Sequence, residues 1–175
     1  MELGIKNKTA FVAASSQGIG KAAALSLAKE GVNLAICSRD EKSIKATAEE
    51  IRKLTGVKVF TVSADVSQEG DIQKAVEAVV NEYGTIHILV NNAGGPPAGK
   101  IETLSDAEWE HGFNLTMMSA VRLTRTVLPF MQEQKWGRVI SIVSISAKQP
   151  IDDLLISSVL RPGILGLSKV LANQY

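Results

Sequence analysis

The sequence has few of the residues that build disulfide frameworks, metal centres or membrane spans. Its 175 residues include one cysteine, Cys37, and two histidines, His87 and His111. No intramolecular disulfide can form, and neither histidine has partners at metal-ligand spacing. No uninterrupted apolar run reaches the roughly 18 residues that a bilayer crossing needs, and the first residues form no apolar signal segment. We therefore expect a cytoplasmic protein with no metal and no membrane association.

The charge balance lacks an excess of either sign. Nineteen Lys and Arg residues oppose 18 Asp and Glu residues, which gives a net charge of +1, and the two signs are interspersed along the chain. A nucleic-acid-binding surface requires clustered basic residues, so we expect no nucleic-acid partner. The hydrophobic share of 45% is typical of a globular chain. We predict a single domain over residues 1–175 whose partner is a small molecule.

Short apolar stretches rich in β-formers alternate with longer segments of helical periodicity. Strands separated by helices of ten or more residues specify right-handed β-α-β units and a parallel sheet with helices on both faces. The sequence therefore predicts an α/β fold of three layers, in which helices cover both faces of one sheet. We expect strands near residues 9–12, 33–38, 57–62, 86–90 and 139–143, and helices over 19–29, 41–54, 69–83, 105–128 and a final segment that ends at 175.

The first strand leads into a stretch of small residues and two glycines. Gly18 and Gly20 would allow a pyrophosphate to approach the backbone, and the start of the next helix favours an anion. The residues of this predicted phosphate loop are Ala14, Ser16, Gln17, Gly18, Ile19 and Gly20.

Five short motifs stand in one order along the chain: the Gly18/Gly20 loop, Asp65-Val66, Asn91-Asn92-Ala93-Gly94, Asn114-Leu115, and Gly137-Arg138-Val139-Ile140 leading to Ser144. In this order and spacing they resemble the short-chain dehydrogenase/reductase family, most closely the group that includes 3-oxoacyl-acyl-carrier-protein reductases. The resemblance covers nearly the whole chain. It implies a Rossmann-type doubly wound sheet that binds NAD(P) across the carboxyl ends of its strands.

The resemblance also assigns cofactor contacts. Asp65 and Val66 should border the adenine, and Asn92, Ala93 and Gly94 should pass beneath the cofactor. The second predicted strand ends at Ser38-Arg39, where an enzyme specific for NAD would carry an acidic residue. Because an arginine can pair with a ribose 2′-phosphate, we predict that NADP(H) is favoured over NAD(H).

In enzymes of this family, a serine binds the substrate oxygen, a tyrosine supplies a proton, and a lysine four residues later lowers the pKa of that tyrosine. An asparagine supports the lysine through water. Ser144 matches the serine and Asn114 the asparagine, whereas Ser157 and Arg161 occupy the tyrosine and lysine positions. A serine hydroxyl has no accessible ionisation, and general acid catalysis is typically worth about 3 to 5 kcal/mol of barrier.

Three further features qualify the resemblance. Pro162 disfavours helical geometry at Arg161, so we expect a helix start or kink there and an irregular spacing from Ser157. Other proton donors are available in the loop after Ser144, namely Lys148, Asp152 and Asp153. Relatives continue through two more strands, and we therefore expect the domain to be incomplete at its C-terminus.

Two functions follow from these patterns. The first is an NADP(H)-dependent oxidoreductase that acts on a carbonyl or alcohol substrate, 3-oxoacyl-like in type, with an atypical proton-donor site. The alternative is a nucleotide-binding protein or oligomer subunit that has lost hydride-transfer chemistry. An uncovered sheet edge and apolar helix face at the C-terminal end also favour a homo-oligomer, either a dimer or a tetramer.

Overall fold

The computed structural model describes residues 2–175, and its centre is a parallel sheet of five strands in the order β3-β2-β1-β4-β5. All four neighbouring pairs run parallel, with residues Ala10, Phe11 and Val12 of β1 paired on one side to β2 and on the other to β4. The strands are β1 Thr9–Val12, β2 Asn33–Ser38, β3 Val59–Ser63, β4 Ile88–Asn91 and β5 Arg138–Ser141.

Helices connect the strands and cover both faces of the sheet. They are α1 Gly18–Lys29, α2 Glu41–Thr55, α3 Glu69–Tyr83, α4 Asp106–Phe113, α5 Ser119–Glu133 and α6 Leu155–Gln174, with a π-helical segment Asn114–Met118 between α4 and α5 and a 3-10 turn Ile145–Ala147 after β5. The predicted order of strands and helices is confirmed, and so is the α/β fold of Rossmann type.

Two apolar cores lie on opposite faces of the sheet. On one face, side chains of β1 and β2 such as Val12 and Ile36 pack against α1 and α2. On the other face, Phe11 and Leu89 pack against α3 and α5. Successive side chains of β1 point to opposite faces of the sheet, and both faces are covered, so all of these side chains are buried. The sheet is therefore doubly wound in three layers.

Both prolines inside helices lie in continuous helix. The predicted long helix does not end near residue 128, because α5 continues through Pro129 to Glu133. The expected break at Pro162 is also wrong, since α6 runs without interruption from Leu155 to Gln174. Pro129 and Pro162 are exposed, and Arg125, whose carbonyl loses its partner to Pro129, is exposed too, so water can satisfy that carbonyl.

The C-terminal side of the sheet is its exposed side. Among residues 2–175, β5 pairs only with β4, and Val139 and Ile140 are partly open to solvent. The helix α6 packs on the 3-10 turn, the π-helical segment and α4. By length and composition alone α6 could cross a membrane, but core helices of other proteins pass the same test.

The strand order reverses direction beside β1. The chain moves outward from β1 to β2 and β3, and then returns to place β4 on the other side of β1. In open α/β sheets, a crevice forms at the carboxyl ends of the strands at such a point. The loops that follow β1 and β4 therefore meet where a ligand is expected.

Candidate cofactor cleft and active site

The loop after β1 has a backbone shape set by two positive φ angles. Ala14 has φ 46° and Gly18 has φ 59°. Glycine adopts such angles freely, whereas an alanine there is strained by its Cβ. Hydrogen bonds hold Ser15 within this turn, because its hydroxyl donates to Val12 O at 2.8 Å and its N–H donates to Cys37 O at 3.0 Å.

Gly20 makes the closest approach to this loop. A Cβ placed on Gly20 would lie 2.5 Å from Ala14 O and 2.6 Å from Asn92 Nδ2, distances that real side chains do not show. The amide of Asn92 donates to the carbonyls of Ala13 and Ala14 at 3.2 and 2.9 Å. Asn92 thus ties the end of β4 to the loop after β1, and only glycine fits beneath that link.

A third element holds the far side of the loop. Thr47 of α2 is buried, and its hydroxyl donates to Ser16 O at 2.7 Å. Lys21 of α1 also bonds Glu50 of α2 at 2.7 Å, on the exposed side of the same pair of helices. The loop is therefore fixed from β2, β4 and α2 before any ligand binds, which reduces the ordering cost of binding.

A cleft of about 740 Å³ opens from this loop across the carboxyl ends of the strands. His111, Leu115, Asp40, Ser43, Ala64 and Gly95 also line it. Gly18 is the one predicted cofactor residue that does not line the cleft; its place in the loop is set by its positive φ. The other predicted residues all line the cleft: Ala14, Ser16, Gln17, Ile19, Gly20, Ser38, Arg39, Asp65, Val66, Asn92, Ala93 and Gly94.

One end of the cleft carries the residues that follow β2. Ser38 is buried, and its hydroxyl donates to Asp40 O at 2.9 Å, whereas Arg39 is exposed at the cleft. The carboxylate of Asp40 accepts from Ser43 N at 2.6 Å and caps α2. Hydrogen bonds from Ser43 lower the pKa of Asp40, so this carboxylate is engaged at the helix terminus beside the free guanidinium of Arg39.

The adjoining wall is the connection between β3 and α3. Asp65 and Val66 line the cleft, and the wall is a tight turn in which Asp65 Oδ1 accepts from Ser67 N at 2.9 Å. Asp71 Oδ2 accepts from Asp65 N at 3.0 Å and closes the turn from the start of α3. An apolar and a polar side chain thus face the same end of the cleft as Arg39.

The structure brings three of the four predicted catalytic positions into one region. Arg161 Nε donates to Ser157 Oγ at 3.0 Å, and Ser157 Oγ lies 2.9 Å from Ser146 Oγ. Ser146 N in turn donates to Ser144 Oγ at 3.2 Å. Ser157 and Arg161 are therefore one helical turn apart on α6, and Ser146 links them to Ser144.

Burial shapes the chemistry of this cluster. Arg161 is half-buried, and desolvation lowers its pKa, but a guanidinium remains protonated near neutral pH. It can only donate, so Ser157 Oγ accepts from it. The single contact between Ser146 and Ser157 uses one hydroxyl hydrogen, so one of the two hydroxyls keeps a hydrogen for another acceptor. Both serines are buried, with 1% and 6% of their surfaces exposed.

Asn114 lies apart from this cluster in its hydrogen bonds. Its Nδ2 donates to Glu110 O at 3.0 Å, and its Oδ1 accepts from Arg122 Nη1 at 3.2 Å. None of its side-chain bonds in the described part of the chain goes to the serines or Arg161. Asn114 opens the π-helical segment, a geometry that is often found at functional sites. Its predicted catalytic role stays a prediction.

Thr116, two residues later, faces Arg161 instead. Thr116 and Arg161 line a small cavity of about 20 Å³ together with Asn91 and Ser141. The Oδ1 atom of Asn91 and the Oγ1 atom of Thr116 are buried without a hydrogen-bond partner within residues 2–175. Ser146 and Thr116 were missed from the sequence because their roles depend on contacts with residues 11 and 45 positions away; no local pattern marks them.

The remaining candidates are in other environments. Lys148, Asp152 and Asp153 are exposed in the loop before α6. His87 is partly buried, its Nδ1 accepts from Thr9 N at 3.1 Å, and burial lowers its pKa. No group of three His, Cys, Asp or Glu side chains within residues 2–175 could hold a metal ion.

The fold and this cleft define an α/β protein of Rossmann type with a ligand crevice at the switch point of its sheet. A family model for the short chain dehydrogenases matches residues 8–175. The chain belongs to the short-chain dehydrogenase/reductase family, as the five motifs predict.

Relatives and solved structures agree with this assignment. The chain is 34% identical over 175 residues to the uncharacterized oxidoreductase YvrD of Bacillus subtilis, and the alignment covers 99% of this chain and 65% of YvrD. It is 32% identical to the 3-oxoacyl-acyl-carrier-protein reductase of Aquifex aeolicus, over 99% of this chain and 70% of that one. The crystal structure of L-sorbose reductase from Gluconobacter frateurii, complexed with NADPH and L-sorbose, matches with a TM-score of 0.96 and 34% identity, over 99% of this chain and 66% of that one.

Proposed function

We propose that this chain binds NADP(H) in the 740 Å³ cleft and acts as an oxidoreductase on a small carbonyl or alcohol substrate. The observation that carries the proposal is the close approach of Gly20 to the Ala14 carbonyl, which packs the start of α1 against the loop after β1 at the edge of the cleft, where a helix N-terminus favours an anion. The predicted cofactor residues, Gly18 apart, surround the same cleft. The solved L-sorbose reductase complex, 34% identical, contains NADPH, and this supports the choice of cofactor.

Arg39 supports NADP(H) over NAD(H). Its side chain is exposed at the cleft, and the neighbouring carboxylate of Asp40 is held by α2. A 2′-phosphate would gain a charge-assisted contact with the guanidinium, while NAD(H) offers it only a hydroxyl. We expect Arg39→Ala to weaken NADPH binding about tenfold or more and to change NADH binding less than twofold, by calorimetric titration of the full-length protein. An equal loss of affinity for NADPH and NADH would refute the role assigned to Arg39.

The bound nicotinamide would supply the hydride of the reaction. Ser144 Oγ accepts from Ser146 N, so its own hydrogen is free to bond a substrate oxygen. Ser157 and Arg161 hold each other and Ser146, and they add a fixed positive charge close to that position. Neither releases a proton near neutral pH. We therefore propose that the substrate oxygen is bound by hydroxyl groups and that its proton comes from water or from a side chain of the loop before α6, namely Lys148, Asp152 or Asp153.

A non-catalytic nucleotide-binding protein is the second candidate, and the Ser157–Arg161 pair favours it. NADPH oxidation by the full-length protein with a panel of ketones, sugars and 3-oxoacyl thioesters distinguishes the two. Steady turnover with any of them eliminates the second candidate. Tight NADPH binding without turnover across the panel eliminates the first.

We also propose a soluble cytoplasmic homo-oligomer, a dimer or a tetramer. Apolar side chains on α4 and α6 support self-association, because Phe113, Val159 and Val170 are 44%, 55% and 51% exposed. Sedimentation equilibrium of the full-length protein tests this, and a monomer at micromolar concentration would refute it.

A further inference from the structure

The cleft wall formed by Asp65 and Val66 is held from behind by a side chain outside the sequence motifs. Arg122 of α5 is mostly buried, with 16% of its side chain exposed. Its Nη1 atom donates to Ser67 O at 3.1 Å, directly after the two wall residues. The carboxylates of Asp65 and Asp71 accept hydrogen bonds from backbone N–H groups of the turn, and both belong to the same segment of chain. Arg122 thus anchors the turn to a different helix.

The same nitrogen reaches a second part of the site. Nη1 of Arg122 also donates to Asn114 Oδ1 at 3.2 Å. Asn114 begins the π-helical segment, and Leu115 beside it lines the cleft. One guanidinium nitrogen therefore joins the turn that carries Asp65 and Val66 to the first residue of the π-helical segment.

The ion pairs around Arg122 provide a matched control. Its Nε lies 3.8 Å from Glu69 Oε2, beyond hydrogen-bond distance, and Glu69 also pairs with Arg125 at 3.4 Å. Arg125 is 62% exposed, and within residues 2–175 its side chain pairs with Glu69 alone. The two arginines therefore share one carboxylate, but only Arg122 reaches the wall and Asn114.

We propose that Arg122 is a positioning residue that sets the adenine wall of the cleft and couples it to the π-helical segment. This rests on the proposed binding of NADP(H). The cation is nearly buried, and carbonyl acceptors with charged donors form strong bonds, so its loss frees the Ser67 carbonyl to move. The adenosine half of the dinucleotide is then held less well, while direct contacts to the nicotinamide half are unchanged.

The test compares Arg122→Met with Arg125→Met in the full-length protein. We expect calorimetry to show that Arg122→Met binds 2′-phospho-ADP-ribose about tenfold more weakly than the wild-type protein does. The affinity for reduced nicotinamide mononucleotide should change less than twofold, and Arg125→Met should bind both fragments with the wild-type affinity. Arg122→Lys keeps the charge, but its shorter side chain does not carry the ammonium to the position of Nη1, so it should recover only part of the affinity. Equal affinities for the adenosine fragment in both Met variants would overturn the proposal.

A readout without ligand separates this inference from the proposed function. Amide hydrogen exchange of residues 64–72 should accelerate in Arg122→Met and stay at the wild-type rate in Arg125→Met. Unchanged exchange there would overturn the inference even if NADPH binds. If the wild-type protein binds neither nucleotide, the proposed function fails, while faster exchange confined to this segment would still support the anchoring role. If Arg122→Met does not fold, Arg122→Lys serves for both measurements.

Discussion

Replacing Gly20 by alanine should distort the loop after β1 and lower the stability of the protein, whereas the same replacement at an exposed helical glycine should not. An added Cβ would stand 2.5 Å from Ala14 O and 2.6 Å from Asn92 Nδ2. Neither neighbour is a flexible tip. The first is backbone, and the second is an amide already bonded to Ala13 O and Ala14 O. Ordinary contact begins near 3.4 Å, so the carbonyl must move by about 0.9 Å and the amide by about 0.8 Å to restore it.

The expected cost follows from three contributions. Forcing an extra methyl into a packed site costs about 1–3 kcal/mol, and weakening the Asn92 hydrogen bond costs about 1 kcal/mol. Alanine is favoured over glycine within a helix such as α1, and this preference offsets about 1 kcal/mol of the loss in stability. The net loss is about 1–3 kcal/mol, and at roughly 2–4 °C per kcal/mol it lowers Tm by roughly 2–12 °C in a chain of this size. Because the carbonyl that moves belongs to the phosphate loop, we also expect the Kd for NADPH to rise at least about tenfold.

Gly70→Ala is the control for helix propensity. Gly70 lies in α3, is exposed, and a Cβ there would meet nothing within 4 Å. We expect it to leave NADPH affinity unchanged and to raise stability by up to about 1 kcal/mol. The measurements are thermal unfolding without ligand and calorimetric titration with NADPH. If Gly20→Ala retains both the wild-type Tm and the wild-type Kd, the close approach does not constrain the loop as reasoned.

Three further outcomes are expected. Ala14→Gly should stabilise the protein by about 0.5–1 kcal/mol, because relief of a left-handed alanine, φ 46°, exceeds the entropy that glycine adds to the unfolded chain; a lower midpoint in urea unfolding would contradict this. Thr47→Val should destabilise the protein by about 1 kcal/mol and weaken NADPH binding, since it leaves Ser16 O without its 2.7 Å donor; unchanged binding with lower stability would restrict Thr47 to a structural role. Burial raises the pKa of Cys37 to about 11 from 9.0, so the thiolate is favoured in the unfolded chain. Stability should therefore hold below pH 9 and fall as pH rises toward 11, and Cys37→Ala should reduce that fall in urea titrations at pH 8 and 10.5.

The fold could be predicted because its determinants are local. Apolar runs with β-formers and helical periodicity set every strand within a few residues, and every helix except the one predicted over 105–128, where the structure has α4, the π-helical segment and α5. The continuation of α5 through Pro129 and of α6 through Pro162 could not be predicted in this way. Each proline removes a backbone donor, but both face solvent, and the exposure of a helix face depends on how that helix docks.

The candidate site likewise has a part that local sequence predicts and a part that depends on distant contacts. The residues of the cofactor cleft follow strand ends, and the carboxyl ends of parallel strands meet at one edge, so their grouping could be predicted from order alone. The partners of Asn114 and Ser157 could not. Arg122 and Ser146 are ordinary residues in the sequence, and their importance appears only in the fold, where Arg122 reaches Ser67 O, 55 residues away, and Ser146 reaches Ser157, 11 residues away.

The anchoring of the loop after β1 has a consequence for how the protein folds. Its supports come from Thr47, 31 residues from Ser16, and from Asn92, 78 residues from Ala14. Contacts of such long sequence separation form late and slow a folding reaction. A growing chain that has left the ribosome only as far as β3 holds the loop sequence without the residue that shapes it. Competence to bind a nucleotide should therefore arise abruptly during synthesis, when β4 inserts beside β1.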